Sequence, residues 1–591
     1  MGCLEEIMDL ISFLLRVADP SLMILIMFIC FHSLRRGRRD ERVLIALDDE
    51  DRKIRYPVFF WENSLGRSRS SDVRIDDPTV SRDHAVLLRR DSGWFIADTG
   101  SKAGVYVNGK KTEGRYPVYV GDKIALGNSV LTLRRADDPT TAYQRKKIKK
   151  PKKHNTVSGG LILSLITVHI FMLTVQCYIN MGNVDTAVYA AGLLLIMWVF
   201  YALSRKAFKR KSFEIESLAI LLSSTSVILT AAHNTGQARA QLIAMALGMC
   251  MFCFMIWFIE VPDRVMKWRL AIYILTIGLL GITIILGKTL NGAKNWIIIG
   301  PLSVQPSEFA KVAYIFVGAA TLDQLQTKKN LFGFIFVTAL CIGLLFFMSD
   351  FGTALIFFVT FLVIAFMRSG DFRTIILAVA TAVIGVMLIL SFKPYIADRF
   401  QAWGHVWEYA STSGYQQVNT FIYSASGGLF GVGISKGYLQ YVFASESDLV
   451  FGLTCEELGL VTALLFGLII GGFMIYARNM ATRSRSTFYS IAACSAGGLL
   501  VFQAALNIFG VVDLLPLTGV TLPFVSYGGT SMMGCWGLLA FIKAADERTY
   551  SSRNKKRSGL NKSSSFTGKT FRKKEQEPET VEVKDQSYVD V

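Results

Sequence analysis

A succession of apolar runs, each long enough to cross a bilayer at about 20 residues, limits this chain more firmly than any other feature. They fall near 7–31, 158–180, 186–203, 215–233, 239–260, 268–287, 307–322, 331–348, 351–368, 373–391, 457–477, 488–511 and 526–545. That makes about thirteen candidate spans. Inside a bilayer no water satisfies backbone polar groups, so such runs close on themselves as helices. The expected fold is a polytopic α-helical membrane protein. Charge is scarce and lopsided: 18% of residues are charged, yet the net charge is +18. The excess collects at 35–42, 145–153, 205–211, 478–485 and 553–574, beside apolar runs. Basic clusters placed so read as topology determinants and contacts to anionic lipid. Nucleic acid is the weaker partner, because the aromatics lie in the apolar spans and not among the basic residues. The nine cysteines form no CxxC pair, and those at 250, 253 and 341 sit in apolar runs, so they read as small core residues. Met1-Gly2-Cys3 lacks the Ser/Thr of a myristoylation signal.

The first run is interrupted by Arg16 and Asp19-Pro20 and followed by RRGRR at 35–39, which reads as an anchor (1–40) whose C-terminal end is cytoplasmic. The positive-inside rule then puts the loops at 263–269, 326–330, 368–373 and 478–485 inside, and 287–306 and 392–456 outside. A basic linker (141–157) leads to two further helices (158–211) and a helical core (212–546). The tail from 547 is rich in Ser, Lys, Arg and Glu and reads as disordered and cytoplasmic.

Residues 41–140 differ in character. Short alternating runs such as VLIAL, WFIAD and GVYVNG are separated by Gly, Asp, Asn and Pro turns, the pattern of an all-β sandwich. Within it stand GRS at 66–68, SRDHA at 81–85, GVYVNG at 104–109 and GDKIALG at 121–127. These motifs, in this order, resemble a forkhead-associated (FHA) domain. The resemblance implies that Arg67 and Ser81 hold the phosphate of a phosphothreonine, with Arg82 and Lys102 as further contacts. A guanidinium fork and a hydroxyl suit a phosphate dianion. His84 reads as a structural loop residue. One departure is Ala103, where the family carries an Asn that grips the peptide backbone.

In the membrane half, Glu446, Asp448, Glu456 and Glu457 lie between long apolar segments. Carboxylates there are costly to desolvate and need a partner, water or a task. Asp448 stands between polar Ser445-Glu446-Ser447 and apolar Leu449-Val450-Phe451. It is a candidate general base, or else a solvated acid before a helix. Three more constellations are expected near the same face. NGAKNW at 291–296 runs on to QPSEFAK at 305–311, where Pro306 suits a first helical turn and Glu308 can pair with Lys311. SDFGTAL follows at 349–355, its Asp350 a candidate cap. LPLTGV at 515–520 and LPFVSYGGTS at 522–531 break helical backbone near membrane depth.

Together with GYQQ at 414–417 and SASGGLFGVGIS at 424–435, these pieces resemble the SEDS family (FtsW, RodA and SpoVE) over residues 212 to 546. The resemblance implies a ten-helix core similar to GT-C glycosyltransferases that polymerises lipid II into peptidoglycan strands. It maps the family's essential acid onto Asp448. It also implies a class B penicillin-binding transpeptidase as partner, and phosphothreonine proteins as partners of the FHA-like domain. In the family the loop carries a Glu where Ala444 stands and a His where Glu446 stands, and SDFGT replaces a more common PDxGT, which should loosen that helix start. The implied transfer inverts the anomeric carbon, so one base at the acceptor 4-hydroxyl suffices. The departing pyrophosphate calls for cationic side chains or a divalent cation such as Mg or Mn. Lys294, Lys393 and Arg399 are the cationic candidates. Trp296, Glu308, Lys311, Glu446, Glu457 and Ser526 complete the expected substrate-binding set. Gly427, Gly428 and Gly431 either allow close approach of the lipid or make a turn. The rival functions are a lipid II transporter and a non-catalytic scaffold.

Overall fold

The computed structural model describes residues 2–36, 45–135, 157–206, 212–369, 376–380 and 402–546, with short gaps inside these ranges. Most of the run at 373–391, the linker at 141–156, the tail from 547, and Lys393 and Arg399 lie outside the described residues.

A helix stands at every described apolar run. These are α1 (Gly2–Arg36), α2 (Gly159–Met181), α3 (Asp185–Lys206), α4 (Glu214–His233), α5 (Thr235–Phe258), α6 (Pro262–Leu286), α7 (Pro306–Leu322), α8 (Lys328–Phe347) and α9 (Phe351–Ser369). After two short helices, α10 (Tyr415–Ser426) and α11 (Val450–Glu457), come α12 (Leu460–Ala481), α13 (Thr487–Val511) and α14 (Gly529–Ala545). Among the described residues eight helices are long and apolar enough to cross a membrane: α1 to α6, α12 and α13. Of the other apolar helices, α7 and α14 have 17 residues each, and the described apolar stretches of α8 and α9 are Gly333–Phe347 and Phe351–Met367. The chain is a multi-pass membrane protein.

Local chemistry sets the helix ends. Gly182, with φ 67, ends α2 in the left-handed conformation that costs a glycine nothing. Asn234 caps α5 by accepting from the amides of Gly236 and Gln237. Pro306 opens α7 and Pro262 opens α6. The run expected from 457 starts as a helix only at Leu460, because Gly459 turns the chain at φ 90 and leaves Glu456 and Glu457 on the separate helix α11.

The post of the bundle is α4, buried along its whole length. Its polar stretch Ser223 to Ser226 and its small residues let neighbours approach closely. Several of these hydroxyls return a hydrogen bond to their own helix, Thr225 to Leu221 at 2.9 Å and Thr230 to Ser226 at 2.9 Å. At one end of α4 Glu216 meets Lys543 of α14 at 3.0 Å; at the other stands His233. Around it α5 packs on α14 where Gly248 lies against the ring of Trp536, and a Cβ there would come within 2.9 Å of it. Six of the described cysteines, Cys177 and Cys341 among them, are buried as expected, and Cys253 is half-buried. Cys250 departs from the expectation: it lies on an exposed face of α5, since that helix buries only the side facing its partners.

Between α1 and α2 the chain forms a β-sandwich. Its strands are β1 (Ile45–Asp49), β2 (Ile54–Val58), β3 (Glu62–Gly66), β4 (Val73–Arg74), β5 (Ala85–Arg90), β6 (Gly93–Asp98), β7 (Val105–Val107), β8 (Lys110–Lys111), β9 (Arg115–Val118), β10 (Lys123–Leu126) and β11 (Ser129–Arg134). One sheet has the order β2-β1-β11-β10-β7-β8, the other β4-β3-β5-β6-β9. Alternate residues point inward and meet in one apolar core that includes Leu47, Leu65, Leu87, Ile96, Val105, Ile124 and Leu131. Full burial of each such side chain is worth about 1.5–3 kcal/mol. A small sheet unforeseen from the sequence, β12 (Lys288–Leu290), β13 (Ala293–Ile299) and β14 (Leu302–Val304), joins α6 to α7.

Candidate active site at the Asp448 loop

The loop from α10 to α11 is shaped by one unusual residue. Ala444 sits at φ 63, and its carbonyl accepts from the amides of Ser447, Asp448 and Leu449 at 3.2, 3.0 and 3.1 Å. This tight turn presents Asp448 two residues before the apolar start of α11. The side chain missing at 444 plays no part in it; the backbone does the work. Asp448 is half-buried. Its carbonyl is held by the Asn507 amide at 2.8 Å, and the same amide holds Val520 at 2.8 Å. Its carboxylate lies over Gly519, where a Cβ would come 3.3 Å from Oδ2.

The second wall is the Pro/Gly-broken segment before α14. Ser526 donates its hydroxyl to the Ser447 carbonyl and accepts from the Leu522 amide at 2.7 Å. The Tyr527 amide donates to the Glu446 carbonyl at 2.8 Å. Gln241 of α5 ties this segment down, donating to the Ser526 carbonyl at 3.1 Å and accepting from the Gly528 amide at 3.2 Å. Ser526 therefore braces the Asp448 loop through its own hydrogen bonds.

Behind the loop runs a line of carboxylates. Glu456 accepts from the Tyr438 and Leu439 amides at 2.7 and 2.9 Å. Glu457 takes a hydrogen bond from Nε2 of His233 at 2.8 Å, which fixes the ring. The Nδ1 face of the same ring points at Glu446, 3.6 Å away, too long for a hydrogen bond but close enough for charge attraction. Burial pushes the Glu446 carboxyl above its ordinary value; His233 opposes that shift and Glu457 adds to it. The turn at 427–433 closes the rear: a Cβ on Gly427 would meet the Cys455 carbonyl at 2.0 Å, and one on Gly431 the Glu457 carbonyl at 2.2 Å. Of the two uses open for these glycines, the structure shows the turn.

A separate polar line lies deeper. Lys311 pairs with Glu308 at 2.8 Å and donates to Gln503 at 2.9 Å, with both charged side chains buried. Gln503 passes on to Thr521 at 3.1 Å, and Thr521 meets Ser531 at 2.7 Å. Gln503 and Asn507 stand one turn apart on α13, which links this line to the Asp448 loop. At the mouth of β12–β14, Lys294 and Trp296 are half-buried, and Asp350 caps α9 through the Thr353 amide at 3.1 Å while accepting from Asn295 at 3.2 Å. That helix start is capped, and Ser349 takes up the conformational cost at φ 58. Among the described residues no group of three or more His, Cys, Asp or Glu is arranged to hold a metal ion. His233, Gln241, Gln503 and Asn507 were not singled out from the sequence. Their only signal was a polar side chain within an apolar run.

In the β-sandwich, Arg67, Ser81, Arg82 and Lys102 come together on one edge. The Arg67 amide donates to the Ser81 carbonyl and the Ser68 amide to the Arg82 carbonyl, each at 3.0 Å. The Ser81 hydroxyl accepts from the Lys102 amide at 3.1 Å. His84 is fully buried, bridging the Ser81 amide at 3.1 Å and the Gly104 carbonyl at 3.0 Å, a structural role as expected.

The family model described as "Cell cycle protein", FtsW/RodA/SpoVE, matches residues 212–550, and the FHA domain model matches 63–127. The chain is 30% identical to the probable peptidoglycan glycosyltransferase FtsW of Bacillus subtilis, over 54% of this chain and 84% of that one. It is 33% identical to the protein of the same description from Coxiella burnetii, over 49% and 81%. Among solved structures it is similar to the rod shape determining protein RodA of Thermus thermophilus, with 21% identity, coverage of 56% and 95%, and a TM-score of 0.42. Over more than half its length, and through every element that builds the Asp448 loop, the chain belongs to the FtsW/RodA/SpoVE family.

Proposed function

We propose that this chain, a peptidoglycan glycosyltransferase, joins the sugars of lipid II into β-1,4-linked strands with Asp448 as general base. The observation that carries the reading is the placement of Asp448: half-buried, on a loop braced by Asn507, Ser526 and Tyr527, with its carboxylate against a residue that has no side chain. The base takes the proton of the acceptor 4-hydroxyl as that oxygen bonds to the anomeric carbon of the donor. The donor's bond to pyrophosphate breaks from the opposite face, so configuration inverts. Lys294 is the side chain assigned to meet the departing charge, because a cation there would stabilise it. The basic clusters at the far end of the helices put the Asp448 loop on the outer membrane face and the FHA domain inside. A class B penicillin-binding transpeptidase is the expected partner, and Arg67 with Ser81 is the phosphothreonine-reading pair of the FHA domain.

The test is polymerisation of lipid II by the purified chain, with Asp448→Asn alongside and the transpeptidase present. Loss of a positioned base lowers the rate by about 10²–10⁴-fold. Polymer from both proteins removes Asp448 from this role. Transport of lipid II by a wild type that makes no polymer favours the transporter.

A further inference from the structure

The family core begins at residue 212, yet two side chains from the helices before it reach the turn behind the active site. Arg16 of α1 donates from Nη1 to the Gly431 carbonyl at 2.8 Å. Asn180, near the end of α2, donates to the Ile434 carbonyl at 2.9 Å. Ser12, one turn before Arg16, meets Asn180 at 3.4 Å, and Lys436 approaches Asp9 at 3.7 Å. The grip is close, since a Cβ on Gly433 would come 2.9 Å from the Asn180 amide.

What the two side chains hold is not a free loop. The amides of Val432 and Gly433 donate to the carbonyls of Glu456 and Glu457 at 2.8 and 3.0 Å, and those of Leu460 and Val461 to the carbonyls of Gly428 and Leu429 at 3.0 and 3.2 Å. The turn thereby satisfies the last carbonyls of α11, which a helix end otherwise leaves unpaired. Glu457 orients His233, and His233 faces Glu446, two residues before Asp448. Ser435 adds a contact to the Ala232 carbonyl beside His233 at 3.4 Å. A charged donor inside a bilayer-spanning helix is costly to bury and persists where it has a task.

We propose that Arg16 and Asn180, both outside the family core, are positioning residues: they clamp the 431–434 turn and through it hold the Glu456–Glu457–His233–Glu446 line behind Asp448. The catalytic consequence rests on the glycosyltransferase reading; the clamp itself does not.

The experiment uses the full chain in lipid nanodiscs, comparing wild type with Arg16→Gln, Arg16→Lys, Asn180→Ala and the double variant Arg16→Gln/Asn180→Ala. Hydrogen exchange at the amides of Val432 and Gly433 is read first, because it needs no activity. Expected is exchange at least about tenfold faster in Arg16→Gln, whose shorter neutral amide falls short of the Gly431 carbonyl, equivalent to about 1.4 kcal/mol, with near-wild-type protection in Arg16→Lys, which keeps a long charged donor. Amides on α13 should not change. Unchanged exchange at 432–433 overturns the inference whatever the activity. Equal loosening of α13 overturns it too, since that marks general destabilisation. Steady-state polymerisation is read second: kcat falls about tenfold in Arg16→Gln with KM within about twofold, and the double variant loses less than the product of the singles because both act on one turn. In an active enzyme, loosened exchange with wild-type kcat removes the positioning role. A wild type without activity sinks the glycosyltransferase reading and leaves the exchange result to decide the clamp.

Discussion

At the scale of single residues, the site depends on what is absent at 519. Gly519 has φ 67, and a Cβ there would press on the Asp448 carboxylate at 3.3 Å. Gly519→Ala is expected to strain the turn at φ 67 and nudge that carboxylate by a few tenths of an ångström, lowering kcat by about tenfold, with little change in fold as read by circular dichroism. Wild-type turnover in this variant refutes the placement. In the β-sandwich, Asp77 holds the Thr79 hydroxyl and amide at 2.6 and 2.8 Å and the Ser129 hydroxyl at 2.8 Å. These bonds, with Arg52 beside it, keep its carboxyl at about 2 against an ordinary 3.8. A depressed carboxylate stabilises the folded state fully above the ordinary value and loses that contribution as pH falls through about 2. Limited proteolysis at 45–135 should therefore accelerate between pH 4 and 2 in wild type, and Asp77→Asn should flatten that dependence. The sequence made Asp448 a candidate because an acid between polar and apolar runs is a local pattern, and the family resemblance pointed to the same residue. His233 was not, since its meaning lies in Glu457, 224 residues away.

At the scale of elements, apolar runs of span length announced their helices, and alternation announced the strands. The short helices α10 and α11 were missed because they lie in a stretch too polar to read as a span and are held by tertiary bonds. The three-stranded sheet at β12–β14 was missed because its outer strands have three residues each, too short for alternation to show. The expected pairing of Glu308 with Lys311 was read from their spacing, but not its extension to Gln503 on α13. That pair is buried, so removing one partner leaves a charge in a poor medium. Lys311→Met is expected to cost about 3–5 kcal/mol in detergent unfolding, and Glu308→Gln with Lys311→Met should recover most of it. A double variant as weak as the single one would show that the pair supplies net stability of its own.

At the scale of the whole molecule, the FHA domain is an insertion between α1 and α2, the two helices that reach the turn behind the active site. The proposed phosphothreonine edge makes a separate prediction: Arg67→Ala should abolish capture of a phosphothreonine peptide by the full chain while leaving lipid II polymerisation in the absence of phosphoprotein unchanged. Calorimetry that finds equal binding removes Arg67 from the edge. The insertion also has a consequence for how the chain is made. Asp19 of α1 is buried and bonded to His169 of α2 at 2.7 Å, and 150 residues separate them. A ribosome adding about 5–20 residues per second needs roughly 8–30 s to cover that distance, long enough to complete the β-sandwich on the way. Until His169 emerges, α1 holds an acid at a depth where ionisation costs about 2.5–3.5 kcal/mol. Helix α1 therefore cannot settle before α2 is made, and the length of the domain between them sets how long the insertion machinery must keep it waiting.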